Sequence, residues 1–142
     1  MSEKILRIDN LRKEYSAGVV PIKNLSLEVI RGEVISIIGG SGTGKSTFLR
    51  MINLLERPTA GKIIFHGENI VETRNLSVIR QKIGMIFQNF NLLSSRTAAK
   101  NIAYPLEING WMKDRIERRV KEMLSLVGLE GKGSAPISTL SG

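Results

Sequence analysis

Five mostly β-branched residues, Val34-Ile35-Ser36-Ile37-Ile38, run straight into Gly39-Gly40-Ser41-Gly42-Thr43-Gly44-Lys45-Ser46-Thr47. No other junction in the chain restricts the fold as much. The apolar run lacks the alternation of a half-exposed strand, so it reads as a strand covered on both faces. Beyond the glycines, Phe48, Leu49, Ile52 and Leu55 fall on one helical face. The spacing therefore predicts a strand, a glycine loop and a helix, in that order.

Four residues separate Gly39 from Gly44, and Lys45-Ser46 follow, so the loop has the form G-x-x-x-x-G-K-[ST]. Glycines let a backbone bend around an anion with no Cβ in the way. Amides from about Gly42 to Thr47, with the positive end of the helix behind them, are then expected to seat phosphate oxygens. Lys45 is expected to bridge the β- and γ-phosphates, and the Ser46 hydroxyl to coordinate Mg²⁺. A glycine-rich turn that binds nothing is the plain alternative. Glycines, lysine and hydroxyl all in register between a strand and a helix argue against it.

Composition narrows the class. With 142 residues, 42% of them hydrophobic and 24% charged, the chain suits one globular domain. There are no cysteines, which excludes disulfides and cysteine-bound metals. The single histidine, His66, precedes Gly67 and reads as a surface residue in a turn. A net charge of +8, from 21 Lys and Arg against 13 Asp and Glu, raises nucleic acid or an anionic membrane surface as partners. The basic residues are scattered, however, except from Lys113 to Lys121, where both signs mix as on a solvated helix face. Nucleic acid is not the expected partner. No apolar run approaches the ~18 residues of a membrane span. Met1-Ser2-Glu3-Lys4 lacks the plan of a signal peptide, and a cytoplasmic location is expected.

Ahead of the glycine loop, Ile5 to Asp9 and Leu25 to Val29 alternate as half-buried strands, predicting an antiparallel sheet beside the core. Tyr15 lies between them. Its ring can stack on a flat base, or simply sit at a sheet edge. After the loop helix, Pro58 and Gly61 mark a turn, Lys62 to His66 a strand, Ile70-Val71 its return, and Leu76 to Lys82 a short helix. Gly84 to Phe87 is predicted as a second apolar strand ending on Gln88. That amide can reach a metal or a water, or merely cap the strand end. Thr97 is expected to cap a helix bent or broken at Pro105, and Ile116 to Val127 forms a second amphipathic helix stopped by Gly128.

Tyr15, the glycine loop, Gln88 and a final Leu140-Ser141-Gly142 occur in this order across nearly the whole chain. The combination resembles the ATP-binding subunits of ATP-binding cassette (ABC) transporters. The resemblance implies an α/β, ABC-type P-loop NTPase core, incomplete here, with an N-terminal antiparallel β subdomain. The β subdomain and P-loop core would occupy about residues 1–88. The start of a helical subdomain would occupy about 89–142, up to the signature motif. It also implies ATP and Mg²⁺ as cofactors. Tyr15, Gly39, Gly40, Ser41, Gly42, Thr43, Gly44, Lys45, Ser46 and Thr47 would then hold nucleotide, with Ser46 and Gln88 at the metal and Lys45 and Gln88 catalytic. Ser141 and Gly142 would belong to a Leu-Ser-Gly-Gly-Gln signature facing nucleotide on a second ATPase subunit.

Two stretches, Asn53 to Thr59 and Ile83 to Thr97, look like the ATPases of methionine importers within this family. The first is shared with importers of other polar amino acids. By resemblance the partners are a transmembrane permease and a solute-binding protein, and the place is the cytoplasmic face of the membrane. The family's later acidic residues, which bind Mg²⁺ and orient water, and its switch histidine come after the signature. The 142 residues are thus expected to be an N-terminal portion without turnover alone, with Val34 to Ile38 as an open edge prone to aggregation. A non-hydrolytic nucleotide-binding fragment, or a decayed gene product, is the competing expectation.

Overall fold

The structure, a computed structural model, describes residues 3–89 and 91–140. It separates into two compact units, Met1–Met85 and Ile86–Gly142.

The first unit is built on a four-stranded antiparallel sheet in the order β2-β1-β3-β4, with β1 Lys4–Lys13, β2 Ile22–Ile30, β3 Ala60–Phe65 and β4 Glu68–Asn69. β2 keeps the expected alternation, with Leu25, Leu27 and Val29 half-buried and Ser26 and Glu28 exposed. β1 does not. Ile8 and Leu11 are both buried although three residues apart, because a bulge intervenes. Asn10 takes φ +49°, and the register slips there against both neighbouring strands. The displaced Asn10 N–H donates to Ser26 Oγ at 2.9 Å, so the donor is not left unmade. Across the pair, Gly61 at φ +94° lies against the bulge. A Cβ on it would stand 2.5 Å from the Asn10 carbonyl oxygen and 2.7 Å from that of Asp9.

Helix α1, Lys45–Ile52, lays Phe48 and Met51 into a core with Ile8, Leu11, Ile22, Leu54, Ile63, Ile70 and Ile79. Burial of each such side chain is worth roughly 1.5–3 kcal/mol. The expected face of Phe48, Leu49, Ile52 and Leu55 is corrected here, since Leu49 and Leu55 are exposed. The helix ends at Ile52, and Leu54 turns inward at φ +55°, giving a buried series of Phe48, Met51 and Leu54. Arg80 on α2, Leu76–Lys82, secures this exit by donating to the carbonyls of Asn53 (3.3 Å) and Leu54 (2.8 Å). The return strand expected at Ile70-Val71 is replaced by β4 and a 3-10 turn, Ile70–Glu72, capped by the Asn69 side chain. His66 sits in the β3–β4 turn, as expected of a surface residue.

Two predicted strands are not strands. Val34 to Ile38 and Gly84 to Phe87 make no ladder among the described residues. Val34, Ile38 and Ile86 are 91%, 93% and 100% exposed. A doubly covered strand takes its hydrogen bonds from neighbours on both edges, and among the described residues no strand pairs with either segment. β-branched content alone cannot form half a ladder.

In the second unit, α3 (Ala98–Ile108) starts at Thr97, whose hydroxyl accepts from the Lys100 N–H at 3.4 Å. Pro105 lies inside α3, which continues to Ile108 rather than breaking. Helix α4, Lys113–Leu126, buries Val120 and Leu124 against Ala98 and Ala103. It ends at Gly128 (φ +68°), with Gly128 N–H on the Ser125 carbonyl and Leu129 N–H on that of Leu124. These are the two bonds of a Schellman stop. Among the described residues no helix is long and apolar enough to cross a membrane.

The bulge makes Gly61 irreplaceable. Gly61→Ala is expected to lower unfolding free energy by about 2–4 kcal/mol through backbone collision and strain, whereas Gly67→Ala should cost only about 1 kcal/mol. Gly67 has a similar φ of +84° but open space around it. Urea midpoints of the two variants measure the difference.

Candidate functional site

The loop from Gly39 to Thr47 is held in shape by glycine and by one lysine. Gly42 (φ +79°) and Gly44 (φ +89°) both lie in the left-handed region, which L side chains disfavour. Gly44 is the residue immediately before α1, and its carbonyl accepts the Phe48 N–H at 2.8 Å. A Cβ there would come within 2.9 Å of the Pro21 carbonyl oxygen, so only glycine lets the loop lie against the start of β2. Gly39 is confined by a side chain instead, its missing Cβ facing Thr43 Oγ1 at 2.9 Å.

Lys45 curls back over the loop. Its Nζ donates to the carbonyls of Gly39 (2.8 Å) and Gly40, and lies 3.3 Å from Thr43 Oγ1. Thr43 itself donates to the Gly40 carbonyl at 2.9 Å. Two backbone carbonyls and one hydroxyl of the loop thus hold a single ammonium. Ser41 and Gly42 are exposed at the loop's crest, and Ser46 is exposed in the first turn of α1, which carries no acidic residue. Cation, helix N-terminus and open hydroxyl fit a polyphosphate with Mg²⁺, which normally keeps several waters and takes few protein ligands. Beside the loop runs an open groove of about 650 Å³, lined by Leu25, Leu27, Ile35, Ile37 and Phe48 among others. Gly39, Thr43, Gly44 and Lys45 of the loop form one wall of this groove, and Lys23 and Asn24 add polar groups to its otherwise apolar lining.

Tyr15 belongs to the same unit. Its hydroxyl is 3.4 Å from Thr47 Oγ1, joining the position picked for base stacking to the far end of the loop. Gln88 lies in the second unit, exposed and without regular secondary structure, so it is not the end of a strand. Ser141 and Gly142 lie outside the described residues, as does Phe90 of the stretch Ile83 to Thr97. Leu140 packs on the small core of the second unit.

Sequence reasoning missed the group that supports Tyr15. Lys13 Nζ sits 4.9 Å from the centre of the Tyr15 ring, 3.1 Å from Glu56 Oε1 and 2.9 Å from the Arg57 carbonyl oxygen. The signal was present in part: Lys13 and Tyr15 are two apart at the end of a strand, hence on one face. Glu56 carried no signal, because only the exit of α1 at Leu54 brings it there.

Comparison with known proteins bears on the whole chain. A family profile described as ABC transporter matches residues 22–142. A methionine import ATP-binding protein of Halalkalibacterium halodurans is 49% identical over 97% of this chain, and that of Desulfitobacterium hafniense is 52% identical over 97%. The chain spans 42% of the length of each. Among solved structures, cbiO1 from Clostridium perfringens, part of the ABC transporter complex cbiONQ, superposes with a TM-score of 0.86 at 30% identity, covering 98% of this chain and 56% of its own. A dimeric ATP-binding cassette in a post-hydrolysis state with ADP and Pi also gives 0.86, at 32% identity, covering 96% and 63%.

Within the cluster beside Tyr15, the Glu56 carboxyl is shifted. Burial pushes the Glu56 carboxyl upward. The hydrogen bonds from Tyr15 and Lys13 and the charges of Lys13 and Arg50 outweigh it, holding the group below its ordinary range. A carboxyl depressed on folding adds stability above its unfolded pKa and loses it as pH falls through the folded value. Glu56→Gln is therefore expected to cost about 1–2 kcal/mol at neutral pH. The gap to the parent chain should close as pH drops below the ordinary carboxylate range. Urea unfolding of both proteins at neutral and acid pH reads the gap directly.

Proposed function

The chain belongs to the ABC transporter family, and from that premise we propose that it is the ATP-binding portion of a methionine-import ATPase. The observation carrying this reading is the glycine loop, with Gly42 and Gly44 in the left-handed region, that places the Lys45 ammonium beside it at the head of α1. Such a seat recognises charge and shape of a polyphosphate. In this reading Lys45 contacts the β- and γ-phosphates, and the amides of Gly42 to Thr47 surround them. Ser46 is a ligand of Mg²⁺, which when bound neutralises charge developing on the transferred phosphoryl group. The Tyr15 ring, held by Lys13, stacks on the base. Gln88 completes the metal site or meets a membrane partner, and Ser141 and Gly142 take part in a signature facing nucleotide on a second copy.

The methionine assignment rests on the import proteins that this chain resembles at 49% and 52% identity. On it, the partners are a transmembrane permease, a solute-binding protein and a second ATPase subunit, at the cytoplasmic face of the membrane. None of the loop residues contacts an amino acid in this scheme, so substrate choice belongs to the partners. The first unit is read as the β subdomain and phosphate-loop core, and the second as the start of the helical subdomain.

Phosphoryl transfer to water is largely positioning and charge stabilisation, and the residues invoked here hold nucleotide without a group that polarises the water. The 142-residue polypeptide, prepared alone, is accordingly expected to bind Mg-ATP with hydrolysis at background. Lys45→Ala should weaken binding at least about tenfold, the scale of one lost charge-assisted contact. Titration with a fluorescent ATP analogue checks this. Equal binding by parent and variant would sink the proposal, whereas hydrolysis by the 142 residues that depends on Lys45 would defeat only the expectation of background turnover.

A further inference from the structure

The segment from Lys113 to Lys121 mixes charges in sequence, but the helix sorts them. Arg115, Arg118, Arg119 and Glu122 recur at three, one and three residues and share one face of α4. With Trp111 they line a shallow cleft of about 490 Å³. Arg115 stacks on the Trp111 ring, 5.0 Å from its centre, and Arg119 pairs with Glu122 at 3.1 Å. Arg118 Nε reaches the Asp114 carbonyl oxygen at 3.4 Å. Three guanidinium groups therefore stand beside one carboxylate on this face.

The corner leading into α4 is apolar where water would be expected. Ile108 and Met112 are 67% and 69% exposed, and Trp111 between them is also exposed. Gly110 at φ +70° makes the turn, and the Trp111 N–H bonds the Leu106 carbonyl at 3.1 Å, so the corner is a fixed shape. Lys113, Glu117 and Lys121 point instead into a separate groove with α3.

We propose that this corner, Ile108, Trp111 and Met112 backed by Arg115, Arg118 and Arg119, is a docking surface for anionic lipid headgroups. Indole and aliphatic side chains gain by entering the headgroup boundary, and guanidinium groups beside them gain from acidic lipids. A nucleic acid would use the cations and leave Ile108 and Met112 in water. The inference does not depend on nucleotide binding.

Trp111 is the only tryptophan in the chain, so its fluorescence reports this corner and nothing else. The 142-residue chain is mixed with vesicles of phosphatidylcholine containing about one-third phosphatidylserine, and with pure phosphatidylcholine. A blue shift and co-sedimentation with the acidic vesicles alone, reversed by high salt, are expected. The triple variant Arg115→Gln, Arg118→Gln, Arg119→Gln should partition at least about tenfold less while keeping the parent circular dichroism. Ile108→Ser with Met112→Ser, which spares the charges, should also reduce the shift. Binding without a Trp111 shift, undiminished binding by the folded triple variant, or tighter binding to duplex DNA than to the vesicles would each overturn the proposal.

Discussion

The site hangs on a contact between two pieces of backbone, Gly44 and the carbonyl of Pro21. At φ +89° Gly44 turns the loop into α1, and the 2.9 Å between its absent Cβ and the Pro21 oxygen fixes where that turn lies on β2. Once Gly44 is placed, Lys45 begins the helix and its side chain returns over Gly39 and Gly40. Phe48, one turn on, is carried into the core. A Cβ at this one position would thus disturb the glycine loop and the packing of α1 together. The same substitution would strain the backbone even with space around it.

A second tie joins the far end of α1 to the sheet. Lys13, the last residue of β1, meets Glu56, the Arg57 carbonyl and the Tyr15 ring at once, with its side chain largely out of water. A lone ammonium would be costly there; three partners offset the loss of hydration. Tyr15 is positioned by this cluster and by Thr47 rather than by a strand of its own. The aromatic residue and the glycine loop are thus linked through the Thr47 hydroxyl near the start of α1 and the Lys13 contacts just past its end.

Local chemistry was legible in the sequence and tertiary pairing was not. The glycine loop, the Thr97 cap, the Gly128 stop and α2 at Leu76–Lys82 each depend on neighbours a few residues away, and each could be read from residue type and spacing. The β1 bulge could not, because it exists only through Ser26 and Gly61 on the two flanking strands. Nor could the inward turn of Leu54, which leans on Arg80, 26 residues later. Val34 to Ile38 and Gly84 to Phe87 failed for a related reason. Their composition suits a strand, but a ladder is a property of pairs, and no partner is seen among the described residues. At the candidate site, the loop was readable, Tyr15 half so, and its support by Glu56 not at all.

The two units differ in how they are held together, and the difference explains what the second one shows to its surroundings. Among the described residues the core cluster of the first gathers nine buried hydrophobic side chains from strands, helices and turns, and that of the second four, two of them Ala98 and Ala103 on α3. Small side chains let α4 approach closely, and the tail is tight as well: a Cβ on Gly133 would come within 3.1 Å of Leu124 Cδ1. The amides of Ala98 and Ala99 are met by the carbonyls of Ala135 and Gly133, so this tail also closes the start of α3. A narrow seam of this kind consumes only the stripe Ile116, Val120, Leu124 of α4. The rest of that helix is left free to be specialised, and the guanidinium face running from Trp111 is built on that spare surface.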